Sequence, residues 1–108
     1  MKFQTIKKRK DFVLSNKFGK KIFNKNFILQ IYSQIEQDQP SLKFGFTATK
    51  RIGNAVKRNR AKRIMRELAR KILINGKINS YYVLIAKNSL LEEKFEKLLL
   101  ELKEKAND

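Results

Sequence analysis

The sequence contains no cysteine and no histidine. Without cysteine there can be no disulfide and no thiolate metal site, which fits a reducing compartment, and a cytoplasmic location is the expectation. Without histidine the chain lacks the usual general base near neutrality, and neither a histidine-based triad nor a zinc site can be built. Carboxylates are also scarce. Upstream of residue 92 only Asp11, Glu36, Asp38 and Glu67 occur, too few and too scattered for a carboxylate–metal nuclease site. A nuclease made of this protein alone is therefore not expected, and any catalysis must be carried by a partner. There is a single proline. No apolar run approaches the roughly 20 residues needed to cross a bilayer. Met1 to Lys10 alternates apolar and basic residues, without the apolar block of a signal peptide.

What the chain has in excess is positive charge. Lysine and arginine number 26 against 10 acidic residues, a formal net charge of +16 on 108 residues. The excess is uneven: residues 1–91 hold 22 bases and 4 acids, whereas residues 92–108 hold 4 bases and 6 acids. A compact domain this basic repels itself unless a polyanion is close, so nucleic acid is the expected partner. An anionic membrane surface is the competing reading of composition alone. The length fits one domain spanning residues 1–108, and the 42% hydrophobic content suffices for a modest core.

Local patterns predict the elements. Thr5 to Phe18 reads as a short basic helix closed by Gly19. Lys20 to Phe23 and Phe27 to Ser33 read as strands joined by a turn at Asn24-Lys25-Asn26. Gln34 to Ser41 reads as a polar loop. Lys43 to Thr49 alternates, with Phe44, Phe46 and Ala48 on one face and Gly45, Thr47 and Thr49 on the other. Asn54 is a suitable N-cap for a long helix from Ala55 to about Ile74, stopped by Asn75-Gly76. Tyr81 to Ala86 is a continuous apolar run, as expected of a strand covered on both faces. Ser89 and Glu92 form a capping-box pattern ahead of a last helix with Leu91, Phe95, Leu98, Leu99 and Leu102 in one stripe. The order α-β-β-β-α-β-α implies a single-domain α/β (α+β) sandwich with one small mixed sheet. Its strand–helix–strand unit over residues 43–86 is expected, from general rules, to cross over with a right hand.

The segment Lys50 to Lys71 carries the functional signal. It holds ten bases and one acid, Glu67. At about 100° per residue, Ala61, Ile64, Met65, Leu68 and Ile72 form an apolar stripe, while Asn59, Lys62, Arg63, Arg66 and Arg70 gather opposite. A merely solvated helix face usually mixes charge signs to gain i,i+4 pairs, as the last helix does with Glu92, Glu93, Glu96 and Lys97. This one does not. Its arginines also offer planar forks that hold phosphates bidentately and stack on bases. One side of the helix suits a sheet and the other suits phosphates.

The string KRIGNAVKRNRAKRIMREL, Lys50 to Leu68, closely resembles the signature of the bacterial ribonuclease P protein component. The likeness extends to Asp11-Phe12, Phe27-Ile28-Leu29, Gly45 to Thr49 and Tyr82 to Lys87. It implies an α/β sandwich with a left-handed βαβ crossover, against the right-handed expectation. It implies a subunit of a holoenzyme that removes the 5′ leader of precursor transfer RNA, in which the RNA subunit cleaves with bound magnesium and the protein holds no cofactor alone. The implied partners are ribonuclease P RNA, bound by one protein, and precursor tRNA, with neither DNA nor membrane involved. Contacts to the catalytic RNA are implied for Lys50, Arg51, Lys57, Arg58, Asn59, Arg60, Lys62, Arg63, Arg66 and Arg70.

For the leader, the likeness implies a cleft between the first helix and the sheet, formed by Phe12, Asn16, Gln30, Thr47 and Thr49. Asn16 stands where many members carry an aromatic and Gln30 where some do, so this surface is expected to stack less and hydrogen-bond more. Phe12 is read equally well as base platform or as core. Phe18 is expected in the core, and Tyr81 and Tyr82 are expected to be buried in their strand. Another structural RNA-binding protein, such as a ribosomal protein, would share the composition and sandwich fold, and only the signature separates the two. A major-groove DNA reader would present two short helices and an exposed recognition face. The long helix here needs its apolar side for the sheet.

Overall fold

A computed structural model describes residues 3–33 and 41–106. The polar loop expected at Gln34 to Ser41 therefore lies almost wholly outside the described residues. The elements are β1 (Gln4–Thr5), α1 (Arg9–Phe18), β2 (Lys20–Phe23), β3 (Phe27–Tyr32), β4 (Leu42–Thr47), α2 (Ala55–Ile72), β5 (Ser80–Ala86) and α3 (Phe95–Ala106). Short 3-10 turns at Lys50–Ile52, Leu73–Asn75 and Asn88–Glu92 link them. The strands form one mixed sheet in the order β1-β4-β5-β3-β2. β4 runs parallel to β1 and β5, while β3 is antiparallel to β5 and β2.

The strand β5 is central, and every residue but Ile85 is buried. Its unbroken apolar run follows from cover on both faces. On one face Phe27, Leu29, Phe44, Tyr82 and Leu84 pack against Ala61, Met65, Leu68 and Ala69 of α2 and against Leu98 and Leu102 of α3. On the other, Ile6, Tyr81 and Val83 are covered by α1, with Phe12 and Tyr32 packed at the margin. Tyr81 and Tyr82 are both buried, as expected for that strand.

Four local expectations are corrected. The first helix starts at Arg9, not Thr5, because Gln4–Thr5 pairs with the edge of β4, and the Ile6 amide donates to the Phe44 carbonyl at 2.8 Å. Pairing satisfies backbone groups that a free edge would leave bare. The long helix ends at Ile72, and its last turn tightens into the 3-10 segment Leu73–Asn75. Ser89 and Glu92 do not cap α3, which begins at Phe95. Ser89 Oγ instead contacts Asn26 Oδ1 at 2.7 Å and donates to the Lys25 carbonyl at 3.0 Å, tying the β2–β3 turn to the chain after β5. Lastly, Phe18 is 61% exposed. Cover from α1 reaches Ser15, and past Phe18 the chain turns at Gly19 into the edge strand β2, leaving the ring beyond the buried face.

Candidate nucleic-acid interface

The loop between β4 and α2 sets up the interface. Thr49 leads into the 3-10 turn Lys50–Ile52, and Gly53 follows at φ 137°, ψ −151°, a conformation that essentially only glycine adopts. Asn54 then caps α2, its Oδ1 accepting from the Lys57 amide at 3.0 Å. Arg58 turns back and donates through Nη1 to the Gly53 carbonyl at 3.0 Å, bracing this entry. Ala61, Met65, Leu68 and Ala69 are buried, so Asn59, Arg60, Lys62, Arg63, Arg66 and Arg70 are left on the exposed side.

Two of these cations rest on aromatic rings. Arg70 lies 4.9 Å from the centroid of Phe3, itself stacked on Phe44, and Arg66 lies 5.8 Å from that of Phe46. Arg70 also has Glu67 within 3.9 Å, a loose exposed pair worth little. A guanidinium on an aromatic face keeps its N–H rim available to an anion. Lys50, Arg51, Lys57, Arg60, Lys62 and Arg63 make no ion pair among the described residues.

A second surface adjoins the first at the same turn. An open groove of about 940 Å³ has Ile28 and Ile85 at its floor, Thr49, Lys50 and Arg51 on one side, and Lys25, Lys87 and Asn88 also lining it. The two isoleucines face each other in register across β3 and β5, and Thr47 pairs with Ile85 from β4. The walls are basic and the floor apolar, a combination suited to a phosphate chain whose bases lie on the protein.

The residues expected to hold a leader divide between two places. Thr47 and Thr49 belong to the groove and its row. Phe12, Asn16 and Gln30 sit where α1 meets the sheet. The Phe12 ring lies on Gly45, so close that a Cβ there would come within 2.5 Å of it. Gln30 is only 3% exposed and donates through Nε2 to Asn16 Oδ1 at 3.1 Å, so its amide is engaged in holding α1. Lys25, Ile28, Ile85 and Lys87 were not among the residues expected from sequence. Only the strand register brings them together.

Elsewhere, the Glu93 carboxyl is held below the usual carboxylate range, first by the Lys94 amide and also by Lys97. It lies on the balanced C-terminal segment and not on the basic surface. Among the described residues no group of three or more acidic side chains could hold a metal ion, and no helix is long and apolar enough to cross a membrane.

The ribonuclease P family matches residues 1–107. The chain belongs to the ribonuclease P protein family. Among curated relatives, the ribonuclease P protein component of Caulobacter vibrioides is 38% identical over 104 residues, covering 95% of this chain and 68% of the relative. That of Syntrophus aciditrophicus is 39% identical over 101 residues, covering 94% and 82%. The ribonuclease P protein of Thermotoga maritima superposes with a TM-score of 0.73 at 28% identity, covering 94% of this chain and 96% of that one. The Staphylococcus aureus ribonuclease P protein, at 24% identity and a TM-score of 0.80, shares the fold over 98% and 94% of the two chains. Membership of the family gives the chain a role in ribonuclease P, with the ribonuclease P RNA as its partner in tRNA 5′ processing.

Proposed function

We propose that the chain binds the catalytic RNA of ribonuclease P through the exposed face of α2, and the 5′ leader of precursor tRNA through the adjoining groove. The observation that carries this is the junction at Lys50–Ile52. A helix face with no buried acid and a cation-walled groove meet there, so one protein can touch two RNA strands at once. Arg58, Asn59, Arg60, Lys62, Arg63, Arg66 and Arg70, with Lys57, supply contacts to the catalytic RNA, and Lys50 and Arg51 stand between the two strands. Thr47, Thr49 and the groove receive the leader. Phe12, Asn16 and Gln30 fix the cleft wall by docking α1.

The chain contributes binding, orientation and charge to the removal of the leader. Cleavage chemistry belongs to the RNA and its magnesium, because the chain has no histidine or cysteine and few, scattered acids upstream of residue 92. One protein per RNA is the proposed stoichiometry. Phosphate neutralisation dominates such affinity, so binding falls steeply with salt.

The test is a comparison of affinities. Holoenzyme reconstituted from this chain should bind precursor tRNA more tightly than mature tRNA, and Lys87→Ala should shrink that preference. Equal affinity of the wild-type holoenzyme for both RNAs would refute the leader assignment.

A further inference from the structure

Phe23 ends the edge strand β2 and is 61% exposed. A single exposed apolar side chain needs no explanation by itself, but on a sheet edge it offers a surface to another molecule. Its register shows what lies beside it. Phe23 pairs with Ile28, Ile28 with Ile85, and Ile85 with Thr47, so these four residues form one row across β2, β3, β5 and β4 on the face that carries α1. At about 4.8 Å between strands the row spans roughly 14 Å. α1 docks one step further along, where Phe12 lies on Gly45 and Asn16 holds Gln30, in the row Lys21–Gln30–Val83–Gly45. The Phe23 row is the adjoining strip of that face, and its two isoleucines floor the groove.

Cations surround the ring. Lys87 Nζ is 5.9 Å from its centroid, and Lys25, two residues on, lines the same groove. Lys21, two residues back on the same face of β2, is exposed as well. A second copy of this chain would bring the same lysines against themselves, so the surroundings favour a polyanion over self-association.

We propose that Phe23 is a stacking platform for one unpaired base of the bound leader, with Lys87 and Lys25 holding the flanking phosphates. This rests on the leader reading above and extends the groove to the outer strand of the sheet. Stacking on an aromatic ring tolerates any base, so Phe23 adds affinity without selecting sequence.

The test pairs protein variants with RNA variants. Holoenzyme is reconstituted with wild-type chain, Phe23→Leu or Phe23→Tyr. Each is titrated with precursor tRNA carrying single abasic nucleotides placed in turn along the leader. Wild type should lose affinity at one or two leader positions. Phe23→Leu should bind the intact leader on the order of tenfold more weakly, as expected for one lost base stack, and should be indifferent to the abasic change at those positions. Phe23→Tyr should behave as wild type, and all three chains should share one melting temperature. Full leader affinity in Phe23→Leu overturns the proposal and leaves the leader reading intact. A wild-type holoenzyme that binds precursor and mature tRNA alike overturns both. Loss of self-association in Phe23→Leu with leader affinity unchanged identifies a second copy as the occupant, and also overturns it.

Discussion

Arg58 donates to the Gly53 carbonyl at 3.0 Å, so one arginine of the basic helix is bound into the turn that starts it. Arg63, exposed on the next turn, has no such duty. The two therefore separate under mutation. Arg58→Ala should cost about 1 kcal/mol of stability through the lost hydrogen bond, as well as affinity for the catalytic RNA. Arg63→Ala should change stability by less than about 0.5 kcal/mol while lowering affinity and reducing the salt slope of binding by about one. Denaturant melts and RNA titrations at several salt concentrations check both.

Gly53 occupies a backbone region that side-chain-bearing residues avoid. Gly53→Ala should destabilise the protein by about 1–3 kcal/mol. Because Lys50 and Arg51 precede it in the same turn, RNA affinity should fall even at temperatures where the variant is fully folded. Thermal melts paired with RNA titrations separate the two effects.

Asn16 and Gln30 join α1 to β3 at 3.1 Å, and Gln30 is buried. Asn16→Ala leaves that amide short of a partner, which should cost roughly 1–3 kcal/mol. Replacing both residues with leucine should recover most of the loss, because no polar group is then stranded. The comparison of single and double variants by urea unfolding reads this directly.

The Arg70 guanidinium lies over the Phe3 ring. Phe3→Leu removes the ring and keeps an apolar side chain. RNA affinity should drop by less than about 0.5–1 kcal/mol, the worth of the contact itself, because the ring only pre-positions a guanidinium that binding must otherwise order. In an Arg70→Ala background the same change should have no further effect on RNA binding. A double-mutant cycle on the RNA titration measures that coupling.

The parts that were legible are those decided locally. The two faces of α2 follow from helical spacing alone, and burial of Ala61, Met65 and Leu68 agrees with it. The bounds of β2 and the Asn54 cap also match their local signals. Failures came where a distant segment outbid the local pattern. Thr5 reads as the start of a helix until the unpaired edge of β4 is considered. Ser89 fits a capping box until Asn26, 63 residues away, takes its hydroxyl. Of the groove, only the Thr47–Arg51 side was expected; Ile28 and Ile85 become its floor only through strand order and register. The basic half of the interface was thus visible in one stretch of sequence, and most of the groove half was not.

The most direct measurement is cleavage. Purified chain is mixed with a ribonuclease P RNA at low magnesium, and a precursor tRNA carrying a 5′ leader is followed with protein-only and RNA-only controls. Cleavage at the mature 5′ end that requires both components is the predicted result. Cleavage by the protein alone, or no stimulation of an RNA from the matching source despite tight, salt-sensitive binding, would contradict it.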